Sequence, residues 1–333
     1  MVVKLIDNKE LWDKFMDESP YGTLFHKWDF LKVIEKHSGY RLYPYAIYRG
    51  EELICLFPMY IKKYFGLQMV FSPPPNMAVP HLGFVMSSRY DKLKQRRKET
   101  YVNGVIDEME HELKKIHANY IYVSTVNGFV DVRPFKWNGY DVQIYYSYAI
   151  DLKRPLEEVW EDFDKDLKRE IRNTEKLDLS IRPTDNIDEF FDIMQDRYRQ
   201  QKMNLPVASK EYLKDILAAF PDNIKMNFLY NGDKVVDLIA YYQYKKRFVF
   251  WMGWVNLDKN VHSNEFMTWE YAKIKKAEGV ETMEIQGANV KRLCLFKSKF
   301  NASLEYGFSL TRKDMIGGVA ENVYRNFVKR RWF

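Results

Sequence analysis

RFVFWMGWVNLDKNVHSNEFMTWEYAKIKKAEGVETMEIQGANVKRLCLFKSKFNASLEYGF, residues 247–308, decides the fold. It opens on an aromatic run over 248–254 with the composition of a strand. A polar loop covers 256–264, and a helix over 265–278 is stopped by Gly279. Residues 281–285 read as a short strand, 290–300 as a second helix and 304–310 as a closing strand. With parallel strands, strand–helix–strand is a right-handed crossover, and ligands of such sheets sit where the strand ends and the helix begins. The chemistry is expected at that junction.

Working outward, residues 225–229 and 235–244 form a hairpin about Asn231-Gly232, the strongest turn signal in the chain. Helices are expected over 188–200 and 210–219, and a long alternating strand over 140–152. Residues 155–177 read as one amphipathic helix. Leu156, Val159, Trp160, Phe163, Leu167 and Ile171 share a face, and Lys165, Lys168, Arg169 and Arg172 form a basic ridge on the other. The first half carries helices near 9–15 and 23–34, a hairpin over 41–62, a helix over 88–115 and a short strand over 120–124. Its proline-rich stretch FSPPPNMAVP, residues 71–80, is a rigid extended segment that crosses a sheet edge or lines a site. The scheme of helices, hairpin, then strand–helix–strand occurs twice, 9–62 paralleling 188–244. The expectation is therefore an α/β (α+β) chain of two domains, 1–146 and 147–314. A basic terminal helix over 315–333 follows, whose Lys329, Arg330 and Arg331 suit its dipole or meet an anionic surface.

A chain of 333 residues is too long for one ordinary core, which agrees with two domains. Lys and Arg number 20 against 17 Asp and Glu in residues 1–150, and 32 against 29 in residues 151–333. Positive charge this slight and this even does not by itself argue for nucleic acid. The basic run Lys92, Lys94, Arg96, Arg97 and Lys98 is a solvated helix face or a phosphate contact. Two cysteines in apolar runs, Cys55 and Cys294, give neither a disulfide framework nor zinc spacing. With no signal-peptide pattern and no membrane span, a cytoplasmic location is expected.

The sequence contains no GxGxxG, Walker or GxSxG motif, and its six histidines include no pair at the helical spacing of a zinc site, so no metal is expected. Positive charge and polar groups at the strand-to-helix junction remain. Ser263 is the expected N-cap, with Asn264 and Glu265 opening the helix, whose free N–H groups can hold a phosphate or an oxyanion. His262 is a general base or leaving-group acid, or else an exposed loop histidine. Glu265 is a base, or a first-turn acid suited to the dipole. Lys297, between Phe296 and Phe300, binds a carbonyl or phosphate oxygen, or snorkels at the surface. Tyr241 and Gln243, on the strand before the aromatic one, are expected to line the cleft.

These residues resemble a known family. Ile150-Asp151-Leu152, Trp160 and Lys168-Arg169-Glu170-Ile171-Arg172 are similar to the middle of FemAB-like proteins of the GNAT superfamily. So are SPYGTLFHKWDFL near the N-terminus, Ala277-Glu278-Gly279, and Phe296-Lys297-Ser298-Lys299-Phe300. The likeness spans most of residues 10–312. It implies two tandem acetyltransferase-like (GNAT) domains and transfer of an acyl or aminoacyl group to an amine. The donor it implies is acyl-CoA or aminoacyl-tRNA, which would make tRNA a partner. The acceptor would be a small-molecule, peptide or sugar amine. It also implies that Phe296 and Lys297 line the transfer site, and that Arg197 matches an arginine that contacts acceptor phosphate. Arg169 and Arg172 are expected to add substrate contacts. The chain departs from the pattern in two ways. Residues 256–264 lack the glycines of the acetyltransferase pyrophosphate loop, and the coiled-coil arm of some cross-bridge enzymes is missing. Three readings stand: an N-acyltransferase, an aminoacyl-tRNA-dependent aminoacyltransferase, and a non-catalytic ligand-binding module on a degenerate acyltransferase fold.

Overall fold

A computed structural model of the chain describes residues 1–202 and 204–323. It separates into two compact units. The first comprises Met1–Ile144, Pro206–Tyr212 and the chain from Gly307; the second comprises Tyr145–Leu205 and Leu213–Tyr306.

The first unit contains β1 (Val2–Leu5), α1 (Lys9–Glu18), α2 (Trp28–Ser38), β2 (Arg41–Arg49), β3 (Glu52–Tyr64), β4 (Leu67–Ser72), β5 (Val85–Met86), α3 (Gln95–Lys115), β6 (Tyr120–Ser124) and α4 (Arg133–Trp137). Then β7 (Asp141–Asp151) leads to the second unit's α5 (Leu156–Glu161), α6 (Lys165–Thr174), β8 (Leu179–Pro183) and α7 (Ile187–Gln200). After these come α8 (Lys210–Ala219), β9 (Ile224–Asn231), β10 (Lys234–Tyr244), β11 (Arg247–Gly253), α9 (Ser263–Ala277), β12 (Thr282–Glu284) and α10 (Lys291–Lys297). The described chain ends with β13 (Ser303–Lys313) and α11 (Met315–Val323).

Strand order within the first unit is β1-β2-β3-β4-β6-β13, with β5 on β3. In the second unit it is β7-β12-β11-β10-β9-β8. Among the described residues, each has one parallel pair in an otherwise antiparallel set, β4 with β6 and β11 with β12. Each parallel partner is reached through a crossover helix, α3 in one unit and α9 in the other. The repeated scheme read in the sequence is thus a repeated topology: two tandem acetyltransferase-like domains, each a mixed sheet flanked by helices.

Burial explains the elements. Phe248, Val249, Phe250 and Trp251 in β11 are all buried, so both faces of the strand are covered, as a central strand requires. Leu167, Ile171 and Thr174 lie three and four residues apart on the buried face of α6. Gly279 takes φ 81° after α9, and its N–H donates to the Lys276 carbonyl, a left-handed helix stop.

Residues 155–177 form two helices, where the charge pattern predicts one. The break lies at 162–164: Asp162 pairs with Arg154 at 2.7 Å, and the Asp164 N–H donates to the Lys299 carbonyl at 3.0 Å. Separating the helices lets both Trp160 and Phe163 pack on Trp269, with ring centroids 4.8 and 5.5 Å away. The helix expected over 88–115 begins only at Gln95, after a short 3-10 turn at Tyr90–Lys92. The terminal helix is present as α11, and the expectation for residues 324–333 lies outside the described residues.

Gly253 ends β11 at φ 107°, where a Cβ would collide with the Leu238 carbonyl oxygen and approach Ile239 Cα at 2.8 Å. Neither clash can be relieved by a side-chain rotation. Gly253→Ala is expected to lower stability by roughly 2–4 kcal/mol, read as a lower urea midpoint at unchanged slope.

Candidate active site

The site begins where two parallel strands part. β11 and β12 pair over three positions, Arg247↔Thr282, Phe248↔Met283 and Val249↔Glu284. Beyond that, the Ile285 N–H donates to Tyr148 of β7 at 2.8 Å, while β11 runs on to Gly253. The Ile285 carbonyl takes its hydrogen bond from a side chain, the Lys297 ammonium at the end of α10. Lys297 is only 5% exposed, and its Nζ lies 4.4 Å from the centre of the Trp254 ring. Burial pushes its pKa down from the usual lysine range to about 7, opposed by the nearby Glu284 carboxylate. Gly287 makes room, since a Cβ there would lie 2.9 Å from Nζ. Phe296 packs edge-on to Trp254 and Phe300, at 6.3 and 5.6 Å.

The loop that leads into α9 is held from beneath. Asp237, wholly buried on β10, accepts the Leu238 and Val255 N–H groups at 2.8 and 2.9 Å and the Ser263 hydroxyl at 2.6 Å. Burial raises its pKa to about 6, and these donors oppose the rise. The Trp254 N–H donates to the Leu238 carbonyl and that of Leu257 to the Val236 carbonyl, at 2.9 and 2.8 Å. Trp254 and Asn256 take φ of 57° and 39°, sparsely populated for residues with side chains. His262, not Ser263, occupies the N-cap position; Ser263 is the first helical residue, its hydroxyl committed to Asp237. Trp254 Nε1, Asn256 Oδ1 and Asn264 Oδ1 are buried here without a hydrogen-bond partner. Unmet polar groups gathered at one junction call for an explanation, and a ligand supplies one.

His262 Nδ1 lies 3.6 Å from Glu265 Oε1, the histidine about half exposed and the glutamate buried. Burial raises the Glu265 pKa. Glu170 of α6 completes a group whose donor atoms all lie within 4.8 Å of one another, a set that could hold a metal ion. The Lys299 ammonium already sits 3.1 Å from Glu170.

The remaining expected residues are less closely gathered. Tyr241 is buried against Phe248 and Tyr271, at 4.8 and 5.2 Å, under the Lys275 ammonium. Gln243 pairs with Phe248 at the start of β11, and its backbone is tied to Asn223. That is the end of β11 away from Gly253. Arg172 lies over the Trp160 ring at 5.4 Å, and Arg169 pairs with Asp166 at the surface. Arg197 lies on α7, its Nε buried without a hydrogen-bond partner and its Nη1 3.5 Å from Gln200. Among the described residues, the structure thus brings Lys297 and Phe296 together at Trp254, and His262 with Glu265. Asp237, Trp254, Glu170 and Glu284 were not singled out from the sequence. Only Asp237 carried a legible signal, as the one acid inside the apolar run Val235 to Ala240.

Residues 161–290 match the acetyltransferase (GNAT) domain family. A search of the curated proteins found no match. Among solved structures, the chain is similar to FemX at a TM-score of 0.68 and 12% identity, over 92% of this chain and 97% of that one. It is similar to L-PGS from Bacillus licheniformis at 0.57 and 11%, over 92% of each chain. A tandem GNAT protein from the clavulanic acid biosynthesis pathway aligns at 0.50 and 6%, over 94% of this chain and 98% of that one. At such identities the likeness carries the fold. Together with the GNAT domain matched over residues 161–290, it bears out the fold that the sequence motifs implied, tandem acetyltransferase-like domains similar to FemX.

Proposed function

We propose that the chain is an N-acyltransferase, moving an acyl or aminoacyl group from a thioester or ester donor to the amine of a small-molecule, peptide or sugar acceptor. The observation that carries this reading is Lys297, a buried ammonium seated where β11 and β12 separate. As the acceptor nitrogen attacks the donor carbonyl, negative charge develops on the carbonyl oxygen. An ammonium already desolvated and fixed stabilises that charge without reorganising. Lys297 has three donor hydrogens; one meets the Ile285 carbonyl, which leaves it able to bind the oxyanion. Phe296 and Trp254 keep water from the position. The C–N bond forms, the C–S or C–O bond breaks with its electron pair going to the leaving sulfur or oxygen, and the proton lost by the attacking amine passes to Glu265 and on to that leaving group. Burial has raised the basicity of that carboxylate, and His262 beside it connects it to solvent. Cytoplasmic placement belongs to this proposal; among the described residues, no helix is long and apolar enough to cross a membrane.

One observation favours an aminoacyl ester, such as aminoacyl-tRNA, over acyl-CoA as donor. In an acetyltransferase-like fold, a pyrophosphate would use backbone N–H groups entering the crossover helix. Here Asp237 already accepts the Val255 N–H, and residues 256–264 contain no glycine. A second anion at the same amides would face a buried carboxylate. The basic ridge at Arg169 and Arg172 would then meet the nucleic acid backbone, with Arg197 and Gln243 as further proposed contacts. Tyr241, Ser263 and Asn264 support the cleft from within.

Lys297→Met removes the ammonium while filling its space, and is expected to lower kcat by at least about a hundredfold with little change in donor binding. A fully active variant overturns the assignment. Because oxyanion binding needs the protonated lysine, wild-type kcat should fall as pH rises through about 7, a limb that initial-rate profiles would show and Lys297→Met would lack.

The same group links stability to pH. Its folded pKa of about 7 lies below the 10.5 of a solvated lysine, so the unfolded chain binds the extra proton between those values. Stability relative to Lys297→Met should therefore rise between pH 7 and pH 9, by about 2 kcal/mol, measured by urea unfolding. A donor choice follows from titration with aminoacyl-tRNA at several salt concentrations. Binding that weakens steeply with salt supports the ester donor; saturable acyl-CoA binding with no tRNA binding reverses it.

A further inference from the structure

In the second unit, one imidazole and two carboxylates meet where α6 lies against the start of α9. Glu170 of α6, His262 at the N-cap of α9 and Glu265 three residues on have donor atoms that all lie within 4.8 Å of one another. Among the described residues, no other three His, Cys, Asp or Glu side chains gather so closely. Both helices are anchored apart from this meeting. Leu167 and Ile171 bury one face of α6, and Asp237 holds the Ser263 hydroxyl next to His262. Glu265 is the member that its surroundings leave unexplained. It is 9% exposed, yet among the described residues no N–H or O–H of another residue donates to its carboxylate. Its nearest opposite number, His262 Nδ1, is 3.6 Å away, beyond hydrogen-bond reach. A buried carboxylate without a donor is costly, and this one is aimed at two further ligand groups.

A cation already stands at the edge of the cluster: the Lys299 ammonium lies 3.1 Å from Glu170. Two carboxylates then share one ammonium, which leaves about one negative charge unmatched, and the positive end of α9 offsets only about half of it. A divalent ion in place of the ammonium balances both carboxylates. The donor set names the ion's class. Magnesium and calcium take oxygen ligands. An imidazole with two carboxylates suits Zn2+ and its neighbours, held by three protein groups with a fourth position left for water. Bonds of about 2.0–2.2 Å put tetrahedral donors roughly 3.4 Å apart, so the set has to close by about an ångström. Glu170, His262 and Lys299 are all partly exposed, so the first two can turn inward and the lysine can swing to solvent.

We propose that Glu170, His262 and Glu265 bind a divalent transition-metal ion of the Zn2+ class, which takes the place of the Lys299 ammonium at Glu170. Binding does not depend on what the chain transfers. With Glu265 as the base of the proposed N-acyltransferase, an ion on that carboxylate inhibits transfer; this consequence alone rests on that reading. The test is calorimetric titration of the full chain with ZnCl2, without donor or acceptor, and again in excess MgCl2. One saturable site is expected, unaffected by Mg2+. Glu170→Gln, His262→Ala and Glu265→Gln should each weaken Zn2+ binding by about tenfold or more. Lys299→Met removes the competing charge and should strengthen binding by about threefold or more. The Zn2+-induced rise in melting temperature, read from each variant's own metal-free value, should follow the same order. No saturable binding by the wild-type chain, or affinity unchanged in all three ligand variants (an adventitious ion only), overturns the proposal. So does binding that Lys299→Met weakens. Saturable binding that leaves transfer unimpaired supports the site and overturns instead the role of Glu265 as base.

Discussion

The candidate site depends on one buried carboxylate. Asp237 stands in the middle of a strand whose neighbours Val236 and Leu238 are fully buried, and it is fully buried itself. A carboxylate in that position is costly unless its oxygens are met. They are met by the Leu238 and Val255 N–H groups and the Ser263 hydroxyl. Those three donors come from β10, the loop after β11 and the first residue of α9. Satisfying one charge therefore fixes the path of the loop and the place where the helix starts. The left-handed backbone at Trp254 and Asn256 persists because the surroundings determine it.

That path is what brings Trp254 over Lys297. A lysine ammonium at 5% exposure loses most of its hydration, and two weak partners, a carbonyl and an aromatic face, do not fully replace it. The lowered pKa is the result. Removing the Ile285 carbonyl from the ladder and leaving space for the ammonium at Gly287 are the backbone's share of the same arrangement. Stability alone would favour an apolar side chain here. The retained charge is understandable if its work lies in the reaction.

Much of this was legible in the sequence because it rests on local rules. Asn231-Gly232 specified its hairpin, Gly279 its helix stop, and the aromatic run 248–254 its central strand. Lys297 stood out because charge between Phe296 and Phe300 is unusual. What escaped depends on contacts distant in sequence. The split of residues 155–177 is set by Lys299 and Trp269, more than a hundred residues on. Glu170 belongs with Lys299 for the same reason. Ser263 has the composition of an N-cap, but a buried acid from another strand claims its hydroxyl and leaves His262 at the cap. Local propensity is a prior that such long-range pairing overrides.

The two units treat the same topological weak point differently. In each, a parallel pair ends and the next carbonyl on the shorter partner loses its ladder donor. In the first unit that carbonyl belongs to Ser124, after Ser72↔Val123, and it accepts the Leu82 N–H at 3.0 Å. The donor comes from the loop that follows the proline-rich stretch, and Gly83 lies so near that a Cβ would be 2.9 Å from the same oxygen. Backbone fills the gap, so no rotamer change can open it. In the second unit the equivalent carbonyl, Ile285, is met by a side chain with hydrogens to spare. A side chain can turn toward a substrate; a backbone segment anchored by neighbouring strands cannot. The physical difference between a main-chain plug and a side-chain plug thus supports placing the proposed chemistry in the second unit. It leaves the proline-rich loop of the first unit a structural role.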